Sequence, residues 1–113
     1  MVITFRNKKL EKLANDPRKG KSEWGQLRFE KVSSRLDQLA GASVLEDLRH
    51  VPGKFHELRE NRKGQWAAHL DEPYRLVFVP HEDPIPLDAG GNYDWTAIRG
   101  VEIIEIINYH KEK

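Results

Sequence analysis

Val101-Glu102-Ile103-Ile104-Glu105-Ile106-Ile107, residues 101–107, is an almost unbroken β-branched run followed directly by Asn108-Tyr109-His110. Side chains branched at Cβ suit a pleated, packed surface better than a helix. The stretch therefore reads as a buried strand that delivers a phenol and an imidazole to its exposed tip, a rigid way to position reactive groups. Working back from it, Phe55–Glu60, Gly64–Leu70 and Tyr74–Val79 read as three short strands. The polar turns Asn61-Arg62-Lys63-Gly64 and Asp71-Glu72-Pro73 separate them, as in an antiparallel meander. In the third strand Tyr74, Leu76 and Phe78 fall on one face and Arg75, Val77 and Val79 on the other. One face of the sheet is expected to pack on helices and the other to form a groove.

The helices lie upstream. Val2–Phe5 is a short edge strand or a lead-in to a helix that Asn7 caps, with Leu10, Leu13 and Ala14 as its apolar face. Asn15-Asp16-Pro17 stops that helix, because proline disfavours helical geometry in the residue before it. Arg18-Lys19-Gly20-Lys21 reads as a basic connector, and Ser22 as the cap of a longer helix to Ala40. In it Phe29, Val32, Leu36 and Leu39 recur at i, i+3, i+7 and i+10, while Arg28, Lys31 and Arg35 form a basic row pointing away from the core. Val44–Leu48 is one helical turn, and Val51-Pro52-Gly53 a turn that releases the chain into sheet. The expected fold is α+β: two N-terminal helices on a small, curved, mostly antiparallel sheet.

With 113 residues, the sequence 1–113 is expected to form a single domain. It contains no cysteine, which excludes disulfides and thiolate metal sites. No stretch approaches the roughly 20 apolar residues of a membrane span, so a soluble cytoplasmic protein with no membrane partner is expected. The net charge of +1 hides an asymmetry. Residues 1–35 hold ten Lys/Arg against four Asp/Glu, a local +6, and residues 36–113 hold nine against fourteen, a local −5. Pro80–Gly100, with Glu82-Asp83-Pro84, Gly90-Gly91 and Asp94-Trp95, reads as a long hairpin insertion. There is no glycine-rich phosphate loop and no serine-centred nucleophile motif, which removes most enzyme classes.

Two chemistries remain, proton transfer and anion binding. Lys54–Val79 supplies His56, Arg59, Arg62, Lys63, His69 and Arg75, and the final strand adds Tyr109 and His110. Cleavage of RNA by attack of a 2′-hydroxyl on its neighbouring phosphate needs a base, an acid and cations for the phosphorane, with no metal or cofactor. His56 and His110 have the right titration range, and Arg59, Arg75 and Lys63 suit phosphate. Tyr109 suits base stacking. The five histidines, at 50, 56, 69, 81 and 110, lack close ligand spacings, although His56 and His69 can meet across strands. No metal site is expected.

The segment HVPGKFHELRENRKGQWAAHLDEPYRLVFV, residues 50–79, together with a strand ending in INYH, resembles the HigB-type toxins of the RelE/ParE superfamily. The resemblance runs through most of the chain: a Pro-Gly turn, a His-x-Leu strand, a Gly-x-Trp strand, a Tyr-Arg-Leu strand and a terminal Tyr-His. It implies the RelE-like fold and a type II toxin that cleaves messenger RNA in the ribosomal A site and so inhibits translation. It also implies a cognate HigA-like helix-turn-helix antitoxin, with DNA contacted only through the antitoxin complex. Carried over residue by residue, the catalytic positions fall on His56, Arg59, Arg75, Tyr109 and His110. Arg62, Lys63, His69 and Asn108 fall to RNA binding, and Asn108 stands where the family pattern has an acidic residue. Two other readings use the same scaffold without nuclease chemistry: a gyrase-directed binding toxin, and a degenerate toxin that keeps only antitoxin binding.

Overall fold

The structure, a computed structural model, describes residues 1–112. Strand β1 (Val2–Phe5) leads into helices α1 (Lys8–Asn15), α2 (Pro17–Trp24) and α3 (Gln26–Gly41). A 3-10 turn at Leu45–Leu48 precedes β2 (His56–Glu57), β3 (Trp66–His69) and β4 (Tyr74–Pro80). β5 (Gly100–Asn108) runs into a last helical turn, α4 (Tyr109–Glu112). The five strands form one sheet in the order β1-β5-β4-β3-β2. β1 pairs parallel to β5 and every other pairing is antiparallel. The α+β, mostly antiparallel expectation describes this architecture. Among the described residues, no helix is long and apolar enough to cross a membrane.

The helical layer has three members where two were expected. The basic connector is itself a helix: the Asp16 carboxylate accepts from the Lys19 N–H at 3.2 Å, and Pro17 opens the first turn, where a missing N–H costs nothing. Glycine inside this helix lowers its propensity, which hides it from a sequence reading. Packing explains the glycine, since a Cβ at Gly20 would sit 2.3 Å from Phe29 Cδ1 and 2.5 Å from the Leu13 carbonyl. Ser22 is therefore inside α2 and caps nothing, and α3 starts after Gly25, whose φ of +84° breaks the helical path.

The expected basic row of α3 does not point away from the fold. Arg28 grips the Asp71 carboxylate through Nε and Nη2 at 3.1 to 3.3 Å and stacks 3.4 Å over the Tyr74 ring. Arg35 donates from Nε to the His69 carbonyl at 2.7 Å, and burial lowers its pKa. The cations hidden in this row clamp α3 to the β3–β4 turn, because a guanidinium can bury its stem while its fork finds oxygen. Gly53 is where the clamp passes: its φ is +107°, and a Cβ there would meet Arg35 Nε at 2.5 Å.

Alternation along the strands separates two faces. Trp66, Leu76, Phe78, Val101 and Ile103 pack with Val32, Leu39 and Leu45 in the main core. Ala67, Val77, Ile104 and Ile107 form a smaller apolar cluster on the opposite face. The register shifts between Val77 and Phe78, opposite Glu105 and Ile103, so Ile103 and Ile106, three residues apart, face the main core while Ile104 and Ile107 face the other side. That bulge is why the run at 101–107 shows no simple alternation.

The insertion at 80–100 is packed, not a free hairpin. Leu87 bridges Tyr93, the Asp88 carboxylate accepts from the Gly90 and Asn92 N–H groups, and Trp95 is buried. Trp66 meets Tyr93 and Trp95 with ring centroids 5.4 and 5.9 Å away. Trp95 Nε1 donates to Glu57 Oε2 at 2.7 Å, which ties the insertion to β2.

Candidate active site

The open face of the sheet holds the site. His69 on β3 lies opposite Arg75 on β4, and His56 on β2 lies opposite Ala67. Directly opposed residues present their side chains to the same face, so His56, His69 and Arg75 converge over Ala67. Alanine at that position leaves depth. A cavity of about 390 Å³ results, lined by His56, Arg59, Arg62, Ala67, Arg75 and Tyr109.

Arg75 is buried at 8% exposure, and no other charged residue described here is as enclosed. Its Nη1 donates to Glu72 Oε2 at 3.2 Å and to the Tyr74 carbonyl at 3.0 Å, and its Cζ lies 5.1 Å from the Tyr109 ring centroid. Since guanidinium does not deprotonate in proteins, this is a fixed positive charge on the groove floor. Glu72 also reaches His69, whose Nδ1 is 3.2 Å from Oε1. Its own slight desolvation pushes the Glu72 carboxyl upward, but the hydrogen bond and charge of Arg75, with His69 behind them, hold it below the usual carboxylate range.

Burial pushes the His69 imidazole below its ordinary value, and the Arg75 charge pushes the same way against the pull of Glu72. His69 is therefore neutral at pH 7. Its ring meets that of His56 edge-on, with centroids 5.7 Å apart. His56 Nδ1 lies 2.6 Å from the Lys54 carbonyl. A carbonyl oxygen only accepts, so Nδ1 carries the hydrogen and the neutral ring keeps its lone pair on Nε2. Lys54 (φ +48°) and Glu60 (φ +56°), on either side of β2, occupy the left-handed region. Each such non-glycine residue costs on the order of 1–3 kcal/mol, and such outliers gather at functional sites. β2 itself is two residues long, shorter than the expected Phe55–Glu60, because a 3-10 turn at Glu60–Arg62 ends it.

The rim is less uniform. Arg59 is exposed on the groove edge, while Arg62 donates to Gln65 Oε1 at 2.7 Å and to Glu105 Oε2 at 3.1 Å. Lys63 is exposed and lines neighbouring grooves instead of this one. Tyr109 and His110 occupy the last helical turn, not a strand tip. Asn108 Oδ1 accepts from the His110 N–H at 3.1 Å, and the Tyr109 N–H donates to the Pro73 carbonyl at 2.8 Å. Asn108 thereby makes the turn that swings Tyr109 into the groove. The His110 ring lies outside the lining, exposed, with its centroid 6.5 Å from that of Tyr109.

Sequence reasoning missed Glu72, placed in it only as a turn residue, although its spacing of three from both His69 and Arg75 around a tight turn was visible. It also missed the floor at Ala67 and the Lys54 carbonyl, which have no side-chain signature. Among the described residues no three His, Asp or Glu side chains gather as ligands for a metal ion.

Several solved structures share this architecture over nearly the whole chain. The YoeB/ParE toxin from Agrobacterium tumefaciens superposes with a TM-score of 0.57 at 12% identity, over 94% of this chain and 95% of that one. The fold is that of the YoeB/ParE toxins. The YoeB-YefM complex from Staphylococcus aureus gives a TM-score of 0.54 at 16% identity, covering 94% of this chain and 93% of the other. The YoeB dimer from the same organism gives 0.53 at 18%, covering 93% and 92%. No protein-family model and no curated protein sequence matches the chain. Within this YoeB-like fold the open face of the sheet, with Arg75 at its floor, is the one place where histidines, a buried cation and a cavity coincide among the described residues.

Proposed function

We propose that the chain is the toxin of a type II toxin–antitoxin pair, of the HigB type, and that it cleaves messenger RNA in the ribosomal A site without a metal or cofactor. The observation that carries this reading is the buried Arg75 guanidinium set beside the His56–His69 pair and Tyr109 in one groove. A fixed cation in a partly desolvated site stabilises the charge that builds on a phosphorane far better than one in water.

In this mechanism His56 Nε2 accepts the 2′-hydroxyl proton as the O2′–P bond forms. His69, kept neutral, holds the His56 ring edge-on without placing a second cation beside it. Arg75 and Arg59 bind the non-bridging oxygens, with Arg62 and Lys63 along the strand. The P–O5′ bond then breaks, and the departing oxygen takes a proton from His110, which must move inward from its exposed place beyond Tyr109 to give it. The products are a 2′,3′-cyclic phosphate and a 5′-hydroxyl, so atoms and protons balance. Tyr109 stacks on a base, and Asn108 sets the turn that holds both Tyr109 and His110.

The ribosome supplies much of the substrate positioning, so free RNA is cut slowly. The partner that silences the toxin is a HigA-like helix-turn-helix antitoxin, through which alone the pair meets DNA. One of the similar solved structures is itself a complex, of YoeB with YefM, which supports a protein partner. The proposal places one domain over 1–113 in the cytoplasm. Growth arrest on induction of the protein alone, relieved by co-expression of the neighbouring helix-turn-helix gene, is the expected result. Arrest with intact messages and accumulating DNA breaks would replace it with the gyrase-directed reading, and normal growth with the degenerate one.

A further inference from the structure

A second groove, of about 1070 Å³, lies on the other side of the β2 ridge from the first, between that ridge, the segment at 49–50 and the insertion. His56, Leu58, Arg59 and Glu60 border both cavities, so the two are neighbours across one wall. Its volume slightly exceeds the roughly 300–1,000 Å³ that hold a drug-sized ligand, which gives room for a nucleotide.

The floor of this groove is built, not incidental. Trp95 is buried at 4% exposure, fixed through Nε1 to Glu57, and the Arg49 guanidinium lies 3.8 Å over its ring. Glu46 holds Arg49 from the side through both carboxylate oxygens at 3.0 Å. The guanidinium is thus held over an indole while its side chain stays 40% exposed. A planar cation held this way offers its outer face for stacking by another planar group.

The charges lining the groove balance, Arg49, Arg59 and Lys63 against Glu57, Glu60 and Asp88, so the platform and the placement of the free cations decide the ligand. Of the acids nearby, Glu46 faces Arg49, Glu57 accepts from Trp95, Asp88 accepts from the Gly90 and Asn92 N–H groups, and Glu60 is an exposed carboxylate on the same wall. Arg59 and Lys63, both exposed on the groove wall, make no ion pair among the described residues. A stacking platform flanked by uncommitted cations is the arrangement that binds single-stranded nucleic acid, with the base on the platform and the phosphates on the cations.

The geometry points to a nucleotide subsite here: a residue of the RNA strand next to the scissile phosphate crosses the β2 ridge at Arg59 and stacks its base on the Arg49–Trp95 pair. This rests on the ribonuclease reading for the first groove but is tested apart from it. The insertion then has a role in substrate selection, and its Trp95 is the support beneath the stacked base.

The probe is a 2′-O-methyl heptanucleotide, which cannot undergo 2′-attack, titrated into the ¹⁵N-labelled full chain while the three tryptophan indole signals are followed. The Trp95 signal is expected to move and that of Trp24, on the far helical layer, to stay. Arg49→Ala is expected to weaken binding about tenfold, the loss typical of one stacked base, and Arg49→Lys, which keeps charge but not the plane, fails to restore it. An unmoved Trp95 signal, or equal affinity in Arg49→Ala, overturns the subsite. Failure of the nuclease reading looks different: Trp95 responds to the oligonucleotide while no message is cut in cells. Cut messages with an unresponsive Trp95 leave the nuclease standing and remove the subsite.

Discussion

Replacing Arg75 by Gln removes the one buried charge described in the molecule while keeping a polar side chain of similar reach. Its partners suffer little structurally. Glu72 is well exposed and regains water, and the Tyr74 carbonyl can accept from the Gln amide. Folding should therefore survive, and the loss should fall on chemistry. Removing one preorganised donor to a developing oxyanion costs on the order of 10²–10³ in rate, about 3–4 kcal/mol, and the same range is expected here. Arg75→Lys should recover only part of it, because a point charge cannot hold two phosphate oxygens as a planar fork does. Loss of Arg75 also removes the second largest downward push on His69, so its imidazole should rise toward its ordinary value. His69 then charges at higher pH and places a second cation beside His56. The assay is single-turnover cleavage of message on purified, stalled ribosomes across pH 5.5–8, beside a urea titration. A Gln variant folded as wild type and within threefold of its rate would refute the role given to this residue.

Other outcomes follow from the same structure. His69 and Glu72 both have lowered pKa values in the fold. The unfolded chain thus binds more protons, and stability is full above about pH 6.5 and falls as pH drops, first through the His69 range and then below the ordinary carboxylate value. His69→Gln should flatten the upper part of that fall, and Glu72→Gln the lower part, in urea midpoints measured from pH 7.5 to 3.5. Gly53→Ala places a Cβ against Arg35 at a φ of +107° and should cost about 1–3 kcal/mol by equilibrium unfolding; a neutral result would mean Arg35 does not clamp the turn. Trp95→Ala should cost about 3–5 kcal/mol and speed amide exchange across the insertion. An unchanged midpoint would show that the insertion is not part of the core. His110→Ala should slow cleavage on stalled ribosomes while leaving ribosome binding intact, and an unchanged rate would remove it from the mechanism.

How much of this was legible before the fold was known depended on whether the signal was local. The final strand, the meander and the two faces of β4 follow from residue type and a period of two, and the β-branched run at 101–107 marked a buried strand. Helix α2 was hidden because Gly20 and four charged neighbours look like a connector, and only the contact with Phe29 explains a glycine there. Arg28 and Arg35 read as surface charges because their partners, Asp71 and the His69 carbonyl, are 43 and 34 residues away. In the site, His56 and Arg75 were nameable from chemistry and family pattern. The bridge through Glu72, the deep floor at Ala67 and the tautomer set by the Lys54 carbonyl depend on register, which no local pattern encodes. Trp95 stood out as an aromatic in a polar insertion, but its place under Arg49 required the tertiary fold.

The central claim is that the open face of the sheet cuts translated messages. Its most direct test is to induce the protein alone in a bacterial host and map new 5′-ends on messages, beside His56→Ala and Arg75→Ala variants shown to be folded. Codon-phased 5′-hydroxyl ends that vanish in both variants are predicted. Codon-phased ends that persist undiminished in both, or growth arrest with no new ends in wild type, would contradict the account.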